Sequence, residues 1–260
     1  MATKKQVYAK YGIQYKSGKI YHNVFGWIPE LLKEGNTKTG KAVYTWSTLP
    51  GTLQYTVKLC NVEYNVNGTC VCDCVGCYAT AGFYRMENVA ESMARNTLLV
   101  NTDISFVRNA ICAQLEIMGR GEIRIHASGD FNTKNPDAYA TMWHDIAATF
   151  RSFRFWTYTK IHKFESLFDD LKNANIVKSI IPHIGVNFGK CKYIIDAYYT
   201  LLSMGCSVYI CKCGIDKNKH CENCGVCATY DYVLFVEHST GYKAEEDPLF
   251  EKLCEIVNAQ

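Results

Sequence analysis

From residue 122 to residue 236 the chain alternates between strand-like and helix-like patterns, and this alternation constrains the fold more than any other feature. Residues 122–127 (Glu-Ile-Arg-Ile-His-Ala) alternate apolar and polar side chains, as a strand does. Asn135 then offers an N-cap and Pro136 a first helical residue, and Tyr139, Met142, Trp143, Ile146, Ala147 and Phe150 recur at helical spacing. Strand patterns follow at residues 153–159, 176–181, 207–211 and 230–236. Helical patterns separate them, one placing Phe164, Leu167, Phe168 and Leu171 on a face, another running from Lys190 to a stop at Gly205. Pro248 opens a terminal helix.

Short strand–helix–strand units imply a parallel sheet with right-handed crossovers, whose site lies at the C-terminal strand ends. Those ends carry Ser128-Gly129-Asp130, then Thr159-Lys160, then Pro182-His183, then Cys211. His126 is expected to face away from Ile125, as a structural histidine or a lumen residue. Residues 53–59 read as a further strand running toward a cysteine cluster, and helical stripes cover 88–99 and 103–118. This topology predicts both cysteine groups at one edge of the sheet.

The composition suits one globular domain with small appendages: 48% of the 260 residues are hydrophobic and 20% charged, which excludes disorder, collagen and coiled coil. The first residues, Met-Ala-Thr-Lys-Lys-Gln, lack the apolar core of a secretory signal. No stretch approaches the roughly 20 apolar residues of a membrane span. A cytoplasmic protein without a membrane partner is therefore expected, and there its fourteen cysteines stay reduced and point to metal.

Nine of those cysteines fall in two short segments. Cys60, Cys112, Cys191, Cys206 and Cys254 are scattered and read as small buried hydrophobes. In the first segment, Cys70, Cys74 and Cys77 have C-x3-C-x2-C spacing, which lets three thiolates hold three irons of a 4Fe–4S cluster and leaves one iron open. Two close cysteine pairs would instead make tetrahedral zinc, and Cys72, surplus to the first pattern, keeps that alternative open. In the second segment Cys221, Cys224 and Cys227, with Cys213 or Cys211, supply four thiolates for a closed 4Fe–4S cluster or a structural zinc, with His220 as an alternate ligand.

The first segment resembles the radical S-adenosylmethionine motif, although Gly76 replaces the aromatic residue often found before the last cysteine. More of the chain resembles the phage gene product 88 family. The resemblance rests on Cys77-Tyr78-Ala79, Tyr84-Arg85-Met86, Asn88-Val89, Arg95-Asn96, residues 124–131, Trp143, Tyr158-Thr159-Lys160 and the run from Cys221 to Cys227. It implies an α/β fold with a radical-SAM-like partial parallel (β/α) barrel, encoded by a phage and working in the bacterial host. The likeness to radical S-adenosylmethionine enzymes further implies that Ser128, Gly129 and Asp130 contact S-adenosylmethionine, Asp130 accepting from its ammonium group; the residues alone also allow an ordinary strand-to-helix turn with Asp130 as a helix cap.

Net charge is +3, yet residues 1–42 hold eight lysines and only Glu30 and Glu34 as acids. Tyr8, Tyr11, Tyr15, Tyr21 and Trp27 interleave with these lysines. The segment reads either as a hairpin edge solvated by lysine or as a nucleic-acid contact surface. Residues 1–50 are expected to form a basic, aromatic N-terminal extension to an α/β metal-binding domain at 51–260, with the Cys-rich insert at 211–227. Two functions follow: an enzyme that reductively cleaves S-adenosylmethionine to a 5′-deoxyadenosyl radical and acts on a substrate the sequence does not name, or a metal-stapled nucleic-acid-binding protein without redox chemistry.

Overall fold

The computed structural model describes residues 2–35, 42–51, 53–71, 79, 84, 86–178, 188–212, 215, 226–236 and 243–260. Helix α1 (Lys4–Lys10) starts with a capping box, in which Thr3 Oγ1 accepts from Gln6 N and Gln6 Oε1 accepts from Thr3 N. Three short antiparallel strands follow, β1 (Tyr15–Lys16), β2 (Lys19–His22) and β3 (Gly26–Pro29). Ser17 and Gly18, at φ 50° and 77°, make the two-residue turn between β1 and β2. Strand β4 (Lys33–Glu34) then pairs antiparallel with β5 (Val43–Thr45).

The strand expected at residues 53–59 is present as β6 (Gln54–Leu59), paired antiparallel with β7 (Val62–Asn67). It runs away from the first cysteine segment, and β7 returns to it. Cys60 and Asn61, at φ 49° and 65°, form the connecting turn, so Cys60 is exposed and not in the core. Helices α2 (Glu87–Thr102) and α3 (Ile104–Met118) come next, and Asp103 caps α3 by accepting from Phe106 N at 2.8 Å.

Strand β8 (Gly121–Arg124), helix α4 (Pro136–Thr149), strand β9 (Phe153–Thr159) and strand β10 (Ala174–Lys178) follow the expected alternation. Asn135 caps α4 through Ala138 N at 3.2 Å. The principal sheet has the order β10-β9-β8-β5-β4, with β5, β8, β9 and β10 parallel. The helix expected around Phe164–Leu171 is instead a 3-10 turn at His162–Phe164 followed by tight turns. Its hydrogen bonds run to the third residue back, as in Leu167 N to Phe164 O and Leu171 N to Phe168 O. This tighter winding still buries Phe164 and Phe168.

The chain then forms β11 (Phe188–Gly189), α5 (Cys191–Ser203), β12 (Val208–Ile210), β13 (Tyr232–Val236) and α6 (Phe250–Asn258). Gly205, at φ 74°, sits just past the end of α5 as expected, and Leu202 near that end is exposed. Here the strands are parallel in the order β11-β13-β12. The second sheet meets the first where Lys178 N, at the end of β10, donates to Asp231 O at 2.7 Å.

The principal core joins Tyr8, Ile20, Ile28, Leu31 and Leu32 from the N-terminal segment to Trp46, Ile111, Trp143 and Phe155. A second core gathers Ile194, Leu201, Ile210, Leu234 and Leu253. The fold is thus mixed α/β with parallel strands at its centre. Among the described residues the principal sheet is open, with β10 and β4 at its edges, and no closed barrel forms. Among them, too, no helix is long and apolar enough to cross a membrane.

Candidate metal centre

The parallel pairing of β5 and β8 continues beyond both strands. Trp46 N donates to Arg124 O, Ala127 N to Trp46 O, and Thr48 N to Ser128 O, all within 3.1 Å. The chain then turns through Gly129 at φ 85°. A Cβ there would lie 2.0 Å from Thr48 Oγ1 and 2.6 Å from Thr69 Oγ1, so only glycine fits. Those two hydroxyls are 2.8 Å apart, and Thr69 Oγ1 also accepts from Asp130 N at 3.0 Å.

Thr69 fixes the start of the first cysteine segment onto this turn. Its N–H donates to Leu49 O at 2.8 Å, and its carbonyl accepts from Asn132 N at 3.0 Å. The Asn132 side chain donates to Cys70 O at 3.4 Å, and Cys70 is buried. Cys70 is thereby held at the C-terminal ends of β5 and β8. Cys72, Cys74 and Cys77 lie outside the described residues, as do Cys213, Cys221, Cys224, His183 and His220.

The trio predicted to touch a cofactor is in place beside Cys70, with its hydrogen-bonding capacity largely engaged. Ser128 Oγ donates to Thr48 O at 2.8 Å. Asp130 is 1% exposed, and its carboxylate accepts from Phe131 N, Thr159 Oγ1 and Lys160 N at 2.8–2.9 Å. Burial holds its pKa above the ordinary carboxylate range, against the downward pull of those three hydrogen bonds. Through Asp130, the turn after β8 locks the end of β9.

His126 departs from the expected alternation. Its φ of 54° turns the ring toward α4, where Nε2 is 2.9 Å from Tyr139 Oη and Nδ1 is 3.2 Å from Thr157 Oγ1. Ile123 and Ile125 share that core, so the histidine lies with the isoleucines. Burial pushes its pKa down to about 3, and the ring is a neutral structural bridge.

Helix α2 supports the same strand ends. Asn96 Nδ2 donates to Ser47 O at 2.9 Å, and Thr97 Oγ1 accepts from Leu49 N at 2.8 Å. A cavity of about 310 Å³ opens beside this junction, lined by Leu49, Leu53, Tyr55, Ala79, Tyr84 and Met93 among others. Ala79 and Tyr84 follow the first cysteine segment in sequence, and Tyr84 Oη donates to Ala127 O at 3.3 Å.

The described ends of the second cysteine segment, Cys211 and Cys227, pack near β9. Cys227 Sγ lies 2.9 Å from Tyr158 Oη, and the Arg124 guanidinium sits 5.4 Å above the Tyr158 ring. Asn175 Nδ2 donates to Cys227 O and Tyr230 O at 3.0 and 2.9 Å. Cys211, buried at the end of β12, packs in one cluster with Val177, Val233, Tyr158 and Cys227. Tyr158 and Thr159 are consecutive residues of β9, so their side chains take opposite faces. Asp130, which ties Thr69 to Thr159, and Cys227, which meets Tyr158, therefore contact the end of β9 through side chains on opposite faces of that strand. Among the described residues no three His, Cys, Asp or Glu side chains converge on a metal position.

Residues 30–184, more than half of the chain, match the gene product 88 family. The chain belongs to the gene product 88 family. The match takes in the first cysteine segment, the Ser128–Asp130 turn and Tyr158-Thr159-Lys160. It starts after the β1–β3 meander and ends before the second cysteine segment, so this gene product 88 protein carries both outside the matched span. No curated protein and no solved structure matches the chain. The likeness to radical S-adenosylmethionine enzymes gains no support from these comparisons.

Thr48, Thr69 and Asn132 are the site residues that sequence reasoning missed. Thr69 precedes Cys70 directly, yet no spacing rule marks it; its partners stand some twenty and sixty residues away.

Proposed function

We propose that this gene product 88 protein is an iron–sulfur protein in which Cys70, Cys74 and Cys77 hold a 4Fe–4S cluster whose open iron takes S-adenosylmethionine. The supporting observation is the anchoring of Cys70 at the C-terminal ends of parallel strands, through Thr69 and Asn132, beside a cavity of about 310 Å³. Thiolates at this spacing suit iron, and a three-cysteine set leaves one position for a ligand. When bound, such a cluster supplies the electron that cleaves S-adenosylmethionine and starts hydrogen abstraction from a substrate.

The chain's own residues have defined parts in this reading. Asn132 and Thr69 fix the backbone that carries Cys70. Ser128, Gly129 and Asp130 hold the strand end beneath it; the geometry favours this positioning role over direct contact with the cofactor, because Asp130 already accepts three hydrogen bonds. Leu49, Tyr84 and Met93 give the cavity largely apolar walls. Cys221, Cys224 and Cys227, with Cys213 or Cys211, form the second, closed site, for iron–sulfur or zinc.

Anaerobic purification with iron, sulfide and zinc analysis tests the proposal. Iron with matching sulfide is expected, together with 5′-deoxyadenosine from S-adenosylmethionine under reduction. Cys70→Ala, Cys74→Ala and Cys77→Ala should each abolish that product and lower the iron content. Zinc alone, with no 5′-deoxyadenosine, would reduce both cysteine segments to structural staples and sink the enzymatic reading.

A further inference from the structure

The β1–β3 meander turns Ile20, His22 and Ile28 inward, where all three are buried. By alternation its outer face carries Gln14, Lys16, Lys19, Tyr21 and Trp27. The strand register places Lys16 directly opposite Lys19 and Tyr21 directly opposite Trp27. The Tyr21 and Trp27 rings are 5.4 Å apart, and Trp27 is 43% exposed. On this face a pair of cations therefore lies next to a pair of accessible rings.

The lysines of the N-terminal segment divide into two kinds. Lys4 and Lys10 are held by carboxylates, Glu30 at 3.4 Å and Glu116 at 2.7 Å. Lys16 and Lys19 have no ion-pair partner among the described residues, and residues 2–29 contain no acid at all. Like charges directly opposite across a strand pair destabilise it, and a bound anion would relieve that repulsion. An exposed tryptophan and a half-buried tyrosine beside paired cations suit a polyanion that also offers flat apolar faces.

We propose that this face binds single-stranded nucleic acid, with bases stacked on Tyr21 and Trp27 and phosphates on Lys16 and Lys19. A duplex hides its base faces, whereas a single strand presents them to such rings. The two rows of side chains stand about 7 Å apart along the strand, at roughly 3.4 Å per residue. The site lies outside the family-matched span and does not depend on the metal reading.

The test uses the full-length protein, short labelled single strands of DNA and RNA, the matched duplex, and polyglutamate as a competitor. Single strands should bind more tightly than the duplex and quench tryptophan fluorescence. Trp27→Ala and Tyr21→Ala should each weaken binding by about tenfold. The double variant Lys16→Gln, Lys19→Gln should lower the log–log salt slope by about 1.4. These side chains point outward, so each variant should keep the wild-type circular dichroism spectrum and a cooperative melt. Wild-type affinity in all variants, equal binding of the duplex, or equally effective displacement by polyglutamate overturns the proposal. Measuring iron on the same samples, and strand binding by Cys70→Ala, distinguishes its failure from that of the metal reading.

Discussion

Gly129 is where a single methyl group does most damage. It sits at φ 85° with Thr48 Oγ1 occupying the place of a Cβ, so Gly129→Ala combines backbone strain with a clash against a fixed hydroxyl pair. We expect a loss of about 2–4 kcal/mol, read as a lower urea midpoint with unchanged slope. His126 gives a pH signature. An unfolded histidine titrates near its usual value of 6.5, whereas burial holds the folded ring down at about 3. Between those values the unfolded chain binds the extra proton, so this group's stability contribution is intact above about pH 6.5 and is lost as pH falls toward 3. The slope approaches 1.4 kcal/mol per pH unit at most. Asp130, with a raised carboxyl pKa, works in the opposite direction, so the difference between wild type and His126→Gln is the informative quantity. A difference that stays flat from pH 7 to pH 4 would show that the histidine does not titrate as the geometry requires.

At the scale of elements, single side chains join segments that lie far apart in sequence. Gln114 on α3 accepts from both Leu31 N and Leu32 N at 2.9 Å and donates to Leu32 O. Gln114→Ala leaves two buried N–H groups without an acceptor and should cost about 2–4 kcal/mol in chemical unfolding. Asn175 does the same for the second cysteine segment, holding the carbonyls of Cys227 and Tyr230 to β10. Asn175→Ala should speed limited proteolysis between residues 211 and 231, while the principal core loses only about 1–2 kcal/mol. Cleavage at the wild-type rate would mean that the Tyr158–Cys227 contact suffices. Elements read correctly from sequence are those with local signals: the Asn135 cap, the Pro136 start and the apolar stripe place α4 within its observed bounds. By contrast β5 has three residues, and its strand character comes from pairing with β8, which no local pattern reveals.

For the whole molecule, the N-terminal segment shares the principal core through Tyr8, Ile20, Ile28, Leu31 and Leu32. Deleting residues 1–42 should therefore leave a chain that aggregates or melts without cooperativity in calorimetry; a soluble fragment with a sharp transition would show that residues 43–260 stand alone. Helix–strand alternation, the two cysteine segments and the basic N-terminus are all local in the chain, and the sequence by itself determined them. Tertiary structure decided which lysines keep a carboxylate, that Cys60 lies on a turn, and that His126 sides with the isoleucines. It also decided that Thr48, Thr69 and Asn132 hold Cys70 while Tyr158 meets Cys227. The reason is common to all of these: each depends on hydrogen bonds, packing or backbone geometry set by residues distant in sequence, and such contacts leave no periodicity or spacing behind.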